Sequence, residues 1–210
     1  MTIDHPIFIQ SILTIQSKLK TTRADPYEQD VLERLIHTTG DFGIEPLLSF
    51  TPLACKSGIQ ALKAGATILT DTFMAKVAIE SMASRTLGSD VRCILEWAPK
   101  NAEKNLTRSA IGIKKAWPEL SNKLSSSQAP LAVIGSAPTA LEALIDLIDA
   151  GACQPSLIIG MPVGFVGVVK SKERLASFDC EQIRINGNRG GAAMAASVVN
   201  SLLRSSIQGS

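Results

Sequence analysis

The chain holds two histidines. One of them, His37, lies in Glu33-Arg34-Leu35-Ile36-His37-Thr38-Thr39-Gly40-Asp41-Phe42, where a helical pattern gives out just before a glycine. Imidazole is the side chain whose ordinary pKa lies nearest neutrality, and the partial negative charge at a helix C-terminus favours a cation. A histidine so placed suits proton donation. The plain structural reading is a helix-end side chain that caps carbonyls and pairs with Glu33 one turn back.

Two glycine-rich segments add to it. Gly160-Met161-Pro162-Val163-Gly164-Phe165-Val166-Gly167 has glycines spaced so that its backbone can approach a ligand, or simply turn with positive φ. Asn186-Gly187-Asn188-Arg189-Gly190-Gly191 leads into an Ala-rich helix. A glycine pair there presents N–H groups and the positive end of the helix dipole to an anion, and Arg189 supplies a charged fork or is an ordinary solvated arginine. Gly135-Ser136-Ala137-Pro138-Thr139 is a related helix start. Asp71, in Thr70-Asp71-Thr72, suits capping of the next helix. Arg108, in Asn105-Leu106-Thr107-Arg108-Ser109, suits either a surface charge or an anion contact. There is no Gly-x-Ser-x-Gly elbow and no His-Glu-x-x-His motif, no Walker loop and no Gly-x-Gly-x-x-Gly fingerprint. The set favours proton-assisted rearrangement or plain binding over covalent or metal-based hydrolysis.

Short β-branched runs alternating with helical patterns must position these groups, which predicts an α/β domain with a largely parallel sheet. Expected strands are Thr67–Thr70, Val91–Leu95, Leu131–Ile134, Leu157–Ile159 and Gln182–Ile185. Expected helices are Ile7–Lys20, Tyr27–His37, Pro52–Ala64, Met74–Ala83, Thr107–Trp117, Pro138–Ala150 and Ala192–Arg204. Asp25-Pro26-Tyr27-Glu28 reads as N-cap, first-position proline and a reaching-back Glu. Val31, Leu32, Leu35 and Ile36 form the apolar stripe of that helix, and Gly40 is its terminator. The polar tract Ser121 to Gln128 reads as a surface connection within one domain spanning residues 1–210.

The 210 residues are 45% hydrophobic but only 4% aromatic, so the core is aliphatic. With 21 Lys and Arg against 19 Asp and Glu, the net charge of +2 lacks the basic footprint of a nucleic-acid binder. No signal-peptide pattern opens the chain. The longest apolar stretch, Leu157 to Val169, is too short and too broken by Pro162 and glycines to span a bilayer. Cys55, Cys93, Cys153 and Cys180 are widely spaced, without a Cys-x-x-Cys pair. They read as buried, reduced thiols of a cytoplasmic protein.

In order along the chain, these segments resemble the precorrin-8X methylmutase / cobalt-precorrin-8 methylmutase family of corrin-ring biosynthesis. The likeness runs from about Pro6 to Arg204. Its most specific piece is Gly160 to Gly167 followed by Ser171-Lys172-Glu173. Supporting pieces are Ile36 to Phe42, Ala64-Gly65-Ala66, Thr70-Asp71, Thr107-Arg108-Ser109, Ala137 to Leu141, and Gly190-Gly191 with Ala193-Met194. The resemblance implies a three-layer αβα homodimer that moves a methyl group from C-11 to C-12 of the macrocycle without a cofactor. His37 would be the general acid, with Ser11, Thr38, Thr39, Arg108, Thr139, Gly164, Arg189 and Gly190 around the substrate. Any cobalt would arrive inside the macrocycle, and the chain has no metal site of its own. Gln10, Ser136, Lys170, Asn186, Asn188 and Ala192 depart from residues frequent in the family. The alternatives are a non-catalytic tetrapyrrole carrier with the same pocket and, more distantly, a phosphate-binding α/β enzyme.

Overall fold

A computed structural model describes residues 5–102, 105–121 and 128–208; most of the polar tract at 121–128 lies outside them. In chain order come α1 (Pro6–Lys18), α2 (Pro26–Thr39), a 3-10 turn (Phe42–Leu47), β1 (Leu48–Phe50), α3 (Ala54–Lys63), β2 (Ile68–Thr70), α4 (Phe73–Arg85) and β3 (Val91–Cys93). A second 3-10 turn (Ile94–Glu96) precedes α5 (Arg108–Ser121), β4 (Leu131–Ile134), α6 (Pro138–Asp149), β5 (Leu157–Gly160), α7 (Val168–Ala176), β6 (Gln182–Ile185) and α8 (Ala192–Gln208).

The six strands form one sheet in the order β1-β6-β5-β4-β2-β3. All neighbours are parallel except β1, which runs antiparallel to β6 with Leu48 opposite Ile185. Strand side chains alternate between two cores, as the period of two requires. Ile68, Leu131, Val133, Leu157 and Ile159 face α1–α4 and α8, whereas Leu69, Ala132, Ile134 and Ile158 face α5–α7. This is a three-layer α/β architecture with a mostly parallel sheet, as expected. Helix α8 is buried along most of its length, and its small residues Ala195, Ala196 and Ser197 suit close packing. Asp30 of α2 ties it down through Arg204 and Ser201.

Several expectations are corrected. The strand expected at Val91–Leu95 stops at Cys93 because the Glu96 carboxylate turns back to accept the Cys93 N–H at 3.1 Å, drawing Ile94–Glu96 into a 3-10 turn. Helix α7 was not foreseen: its inward positions are Val168, Ser171, Lys172 and Leu175, so half of its buried stripe is polar and the apolar period is hidden. Strand β1, Leu48–Phe50, was not expected either: it has three residues with a serine at its centre and lies on the edge of the sheet, where one neighbour is enough to hold it. Only Cys55 and Cys93 are buried; Cys153 and Cys180 are half-exposed, and all four are free thiols. Among the described residues no helix is long and apolar enough to cross a membrane.

Candidate functional site

Asp25 starts α2 by accepting the N–H groups of Tyr27 and Glu28. Glu28 does not reach back to complete a capping box; it pairs with Arg23 at 3.5 Å. The stripe Val31, Leu32, Leu35 and Ile36 is buried, and Gly40 ends the helix at φ +66 with its N–H on the Ile36 carbonyl. This leaves His37 exposed in the last turn. Its ring meets Phe8 edge-on, with centroids 5.0 Å apart and planes at 88°. The guanidinium of Arg34 lies 4.4 Å from the Phe8 centroid. The expected pairing of Glu33 with His37 is not seen: Glu33 is buried and accepts from Gln16 and Gln29. The other histidine, His5, is used as the α1 N-cap, its Nδ1 accepting the Ile7 N–H.

Packing of α1 on α2 brings Ser11 to the same pocket as His37, together with Ile15, Lys18, Gly40 and Phe42, around about 280 Å³. Lys18 and Phe42 also line a larger cavity of about 870 Å³ between the end of α1 and the Phe42–Leu47 turn. The hydroxyls of Thr38 and Thr39 donate back to the carbonyls of Arg34 and Leu35 and retain lone pairs.

Because strands β2 to β6 are parallel, the loops following them gather on one edge of the sheet, the usual ligand edge of such folds. There the two glycine-rich segments lie against each other. Gly191 N–H donates to Met161 O at 2.9 Å and Gly164 N–H to Asn188 O at 3.3 Å. A Cβ on Gly190, at φ +157, would stand 2.1 Å from Met161 O, so only glycine permits that approach. Arg189 turns to Asp41, with Nη1 to Oδ2 at 2.7 Å, and joins this loop to the residues just after His37. Beneath it Lys172 is buried, and Nζ donates to Gly187 O at 2.8 Å and Arg189 O at 2.6 Å. Burial pushes its ammonium down to about 8, and the two carbonyls work against that. Phe165 and Val166 at the loop tip are about 90% exposed.

Asp71 does cap a helix, though not the one that follows it. Thr72 caps α4. The Asp71 carboxylate is fully buried and accepts the N–H groups of Ser136 and Ala137 at 2.6 and 2.7 Å, at the start of α6. That helix start, read as anion-binding, therefore has its anion built in. Burial raises the Asp71 carboxyl above its ordinary range. The anchored turn presents Thr139, whose hydroxyl lies 2.7 Å from that of Thr107. Arg108 donates through Nε to Pro99 O.

The structure thus brings His37, Ser11, Thr38, Thr39, Arg189 and the Gly164 and Gly190 loops toward one end of the edge. Arg108 and Thr139 lie farther along it: Thr139 comes after β4, and Arg108 follows Thr107, whose hydroxyl meets that of Thr139. Phe8 and Lys18 carry no sequence signal of a site. Asp41 and Lys172 stand within the segments that carry the resemblance, but with no role attached to them.

The sequence model of a known family, described as Precorrin-8X methylmutase, matches residues 6–205. Cobalt-precorrin-8 methylmutase of Synechocystis sp. is 34% identical, over 96% of this chain and 95% of its own. Precorrin-8X methylmutase of Pseudomonas aeruginosa is 38% identical over 93% of each. A crystal structure of the Thermus thermophilus precorrin-8x methyl mutase superposes with a TM-score of 0.84 at 31% identity, covering 97% of this chain and 96% of that one. The chain belongs to the precorrin-8X methylmutase family and is an isomerase, a methylmutase of cobalamin biosynthesis.

Proposed function

We propose that this enzyme, working as one domain over the whole chain, moves a methyl group from C-11 to C-12 of precorrin-8, with or without cobalt in the ring, and that His37 is the general acid. One observation carries the assignment: of the two histidines, His5 is spent as a helix cap, whereas His37 stands exposed in a pocket beside Ser11. The substrate class is a flat, largely apolar macrocycle rimmed with carboxylates. Protonating its conjugated system makes it electron-poor and lowers the barrier to migration of an electron-rich methyl bond. The C-11–methyl bond breaks as the C-12–methyl bond forms, the rearranged ring returns a proton to the His37 imidazole, and no external cofactor is consumed. A well-placed general acid is worth about 10²–10⁴-fold, and holding the ring in a reactive geometry adds to it.

In this reading Ser11, Thr38, Thr39, Thr139 and the backbone of the Gly164 and Gly190 loops face the ring. Arg189 holds its loop toward His37 through Asp41, and Arg108 meets a carboxylate farther along the edge. Among the described residues no three His, Cys, Asp or Glu side chains cluster as a metal site, and cobalt enters as part of the substrate. The enzyme works in the cytoplasm as a homodimer. Phe73, Met74 and Val77 on α4 are each about half exposed or more, an apolar face of the kind that marks subunit contacts; a sedimentation mass of one chain refutes the dimer.

His37→Ala tests the acid. A folded variant that binds the precursor, perturbs its visible spectrum and turns over at least 10²-fold more slowly supports it. Near-wild-type turnover refutes it. Wild-type protein that binds precursor reversibly without rearranging it would establish the carrier alternative instead.

A further inference from the structure

A second, larger cavity lies beside the pocket of His37. Its volume of about 870 Å³ is at the upper end of small-molecule sites, which run about 300–1,000 Å³. It adjoins the His37 pocket, and Lys18 and Phe42 line both. Its charges are one-sided. Lys18, Lys20 and Arg23 line it against a single acid, Glu45, whose Oε1 accepts from Thr21 at 2.7 Å. Lys18 and Lys20 have no carboxylate partner among the described residues. Arg23 is a fixed part of the wall: it lies 4.9 Å from the Phe50 ring, donates to Leu48 O and pairs with Glu28.

A lysine in the last turn of α1 is explained by the helix dipole alone. That account covers Lys18 only. It does not reach Lys20, beyond the helix end, or the convergence of both on a concave surface adjoining the His37 pocket. Gly43 lines the same cavity, and a Cβ there would meet the Asp41 carboxylate at 2.9 Å and the Arg189 guanidinium at 3.0 Å. The Arg189 loop therefore borders this cavity as well.

Resting on the reading of the substrate given above, we propose that this cavity receives peripheral carboxylates of the corrin ring, and that Lys18 and Lys20 thereby set which edge of the macrocycle is presented to His37. The lysines orient and hold; the proton stays with His37. Each is solvent-exposed, so its carboxylate contact is worth about a two- to fivefold change in affinity and weakens as salt rises.

The test compares the wild-type chain with Lys18→Gln/Lys20→Gln, using cobyrinate and its methyl ester, in which the carboxylates are masked, as paired probes at low and high salt. Neither lysine is part of the core, so unchanged thermal melts check folding. The wild type should prefer the acid about tenfold. The double variant should bind the acid several-fold more weakly, the share of Arg108 remaining, with ester binding unchanged, and its salt dependence should flatten. Equal losses for acid and ester, or acid binding as tight as wild type, would overturn the proposal. So would inorganic phosphate displacing the acid as readily as it does from the double variant. Conversion of precursor by the wild type is scored separately: its absence would end the methylmutase reading, whereas conversion with an indifferent double variant ends only the role of the lysines.

Discussion

Replacing Lys172 by Met removes a buried ammonium that has no carboxylate partner among the described residues and holds two loop carbonyls. With a folded pKa of about 8 against an ordinary 10.5, Lys172 is charged in both states below pH 8. There the folded state bears the cost of a buried charge. Between pH 8 and 10.5 the unfolded chain binds the proton and the folded chain does not, so this group makes stability rise with pH. At 1.36 kcal/mol per unit, the gain from pH 7 to pH 10 is about 2–3 kcal/mol for this buried group. Lys172→Met does not titrate there. Wild-type stability minus variant stability, from urea unfolding in parallel at each pH, should therefore grow by about 2–3 kcal/mol across that interval. A flat difference would show that the ammonium keeps its ordinary affinity for protons, and the picture of an isolated cation under the Gly187–Arg189 turn would be wrong. Activity offers a second reading: loss of both carbonyl contacts should weaken substrate affinity even at pH 7, where the protein still folds.

Gly190→Ala places a methyl 2.1 Å from a backbone oxygen at φ +157, and should cost about 2–4 kcal/mol. Gly151→Ala, at φ +93 with nothing within 4 Å, should cost only the roughly 1–2 kcal/mol of the left-handed backbone; equal losses in thermal unfolding would refute the close approach. Asp71→Ala leaves the Ser136 and Ala137 N–H groups without their acceptor, at about 1–3 kcal/mol each, while Asp71→Asn keeps one acceptor and should lose less. Since burial raises the Asp71 carboxyl above its ordinary 3.8, its contribution is full below that pH and declines as pH rises, so the wild-type margin over Asp71→Asn should be wider at pH 4 than at pH 7 in urea midpoints.

Much of the scaffold was legible because its signals are local. Asp25-Pro26 and Gly40 delimit α2 through capping and backbone geometry that a few adjacent residues decide. The runs at Leu131–Ile134 and Gln182–Ile185 became strands with the expected bounds. Where local signals were weak the reading fell short. Helix α7 buries Ser171, whose hydroxyl donates to the Val168 carbonyl one turn back, and Lys172, whose loop carbonyls at Gly187 and Arg189 are not visible in a nine-residue window.

The order of the segments and the placing of His37 at a helix end could be read from the chain alone, since residue types and caps act over a turn or two. Partnership could not. That Asp71 caps α6 from 65 residues away and that Arg189 closes on Asp41 follow from the strand order β1-β6-β5-β4-β2-β3, and that Lys18 faces the His37 pocket follows from the packing of α1 on α2. That order gathers loops distant in sequence on one edge. Hydrogen bonds and charges act across a few ångströms of space, and only the packed sheet decides which groups come within that reach.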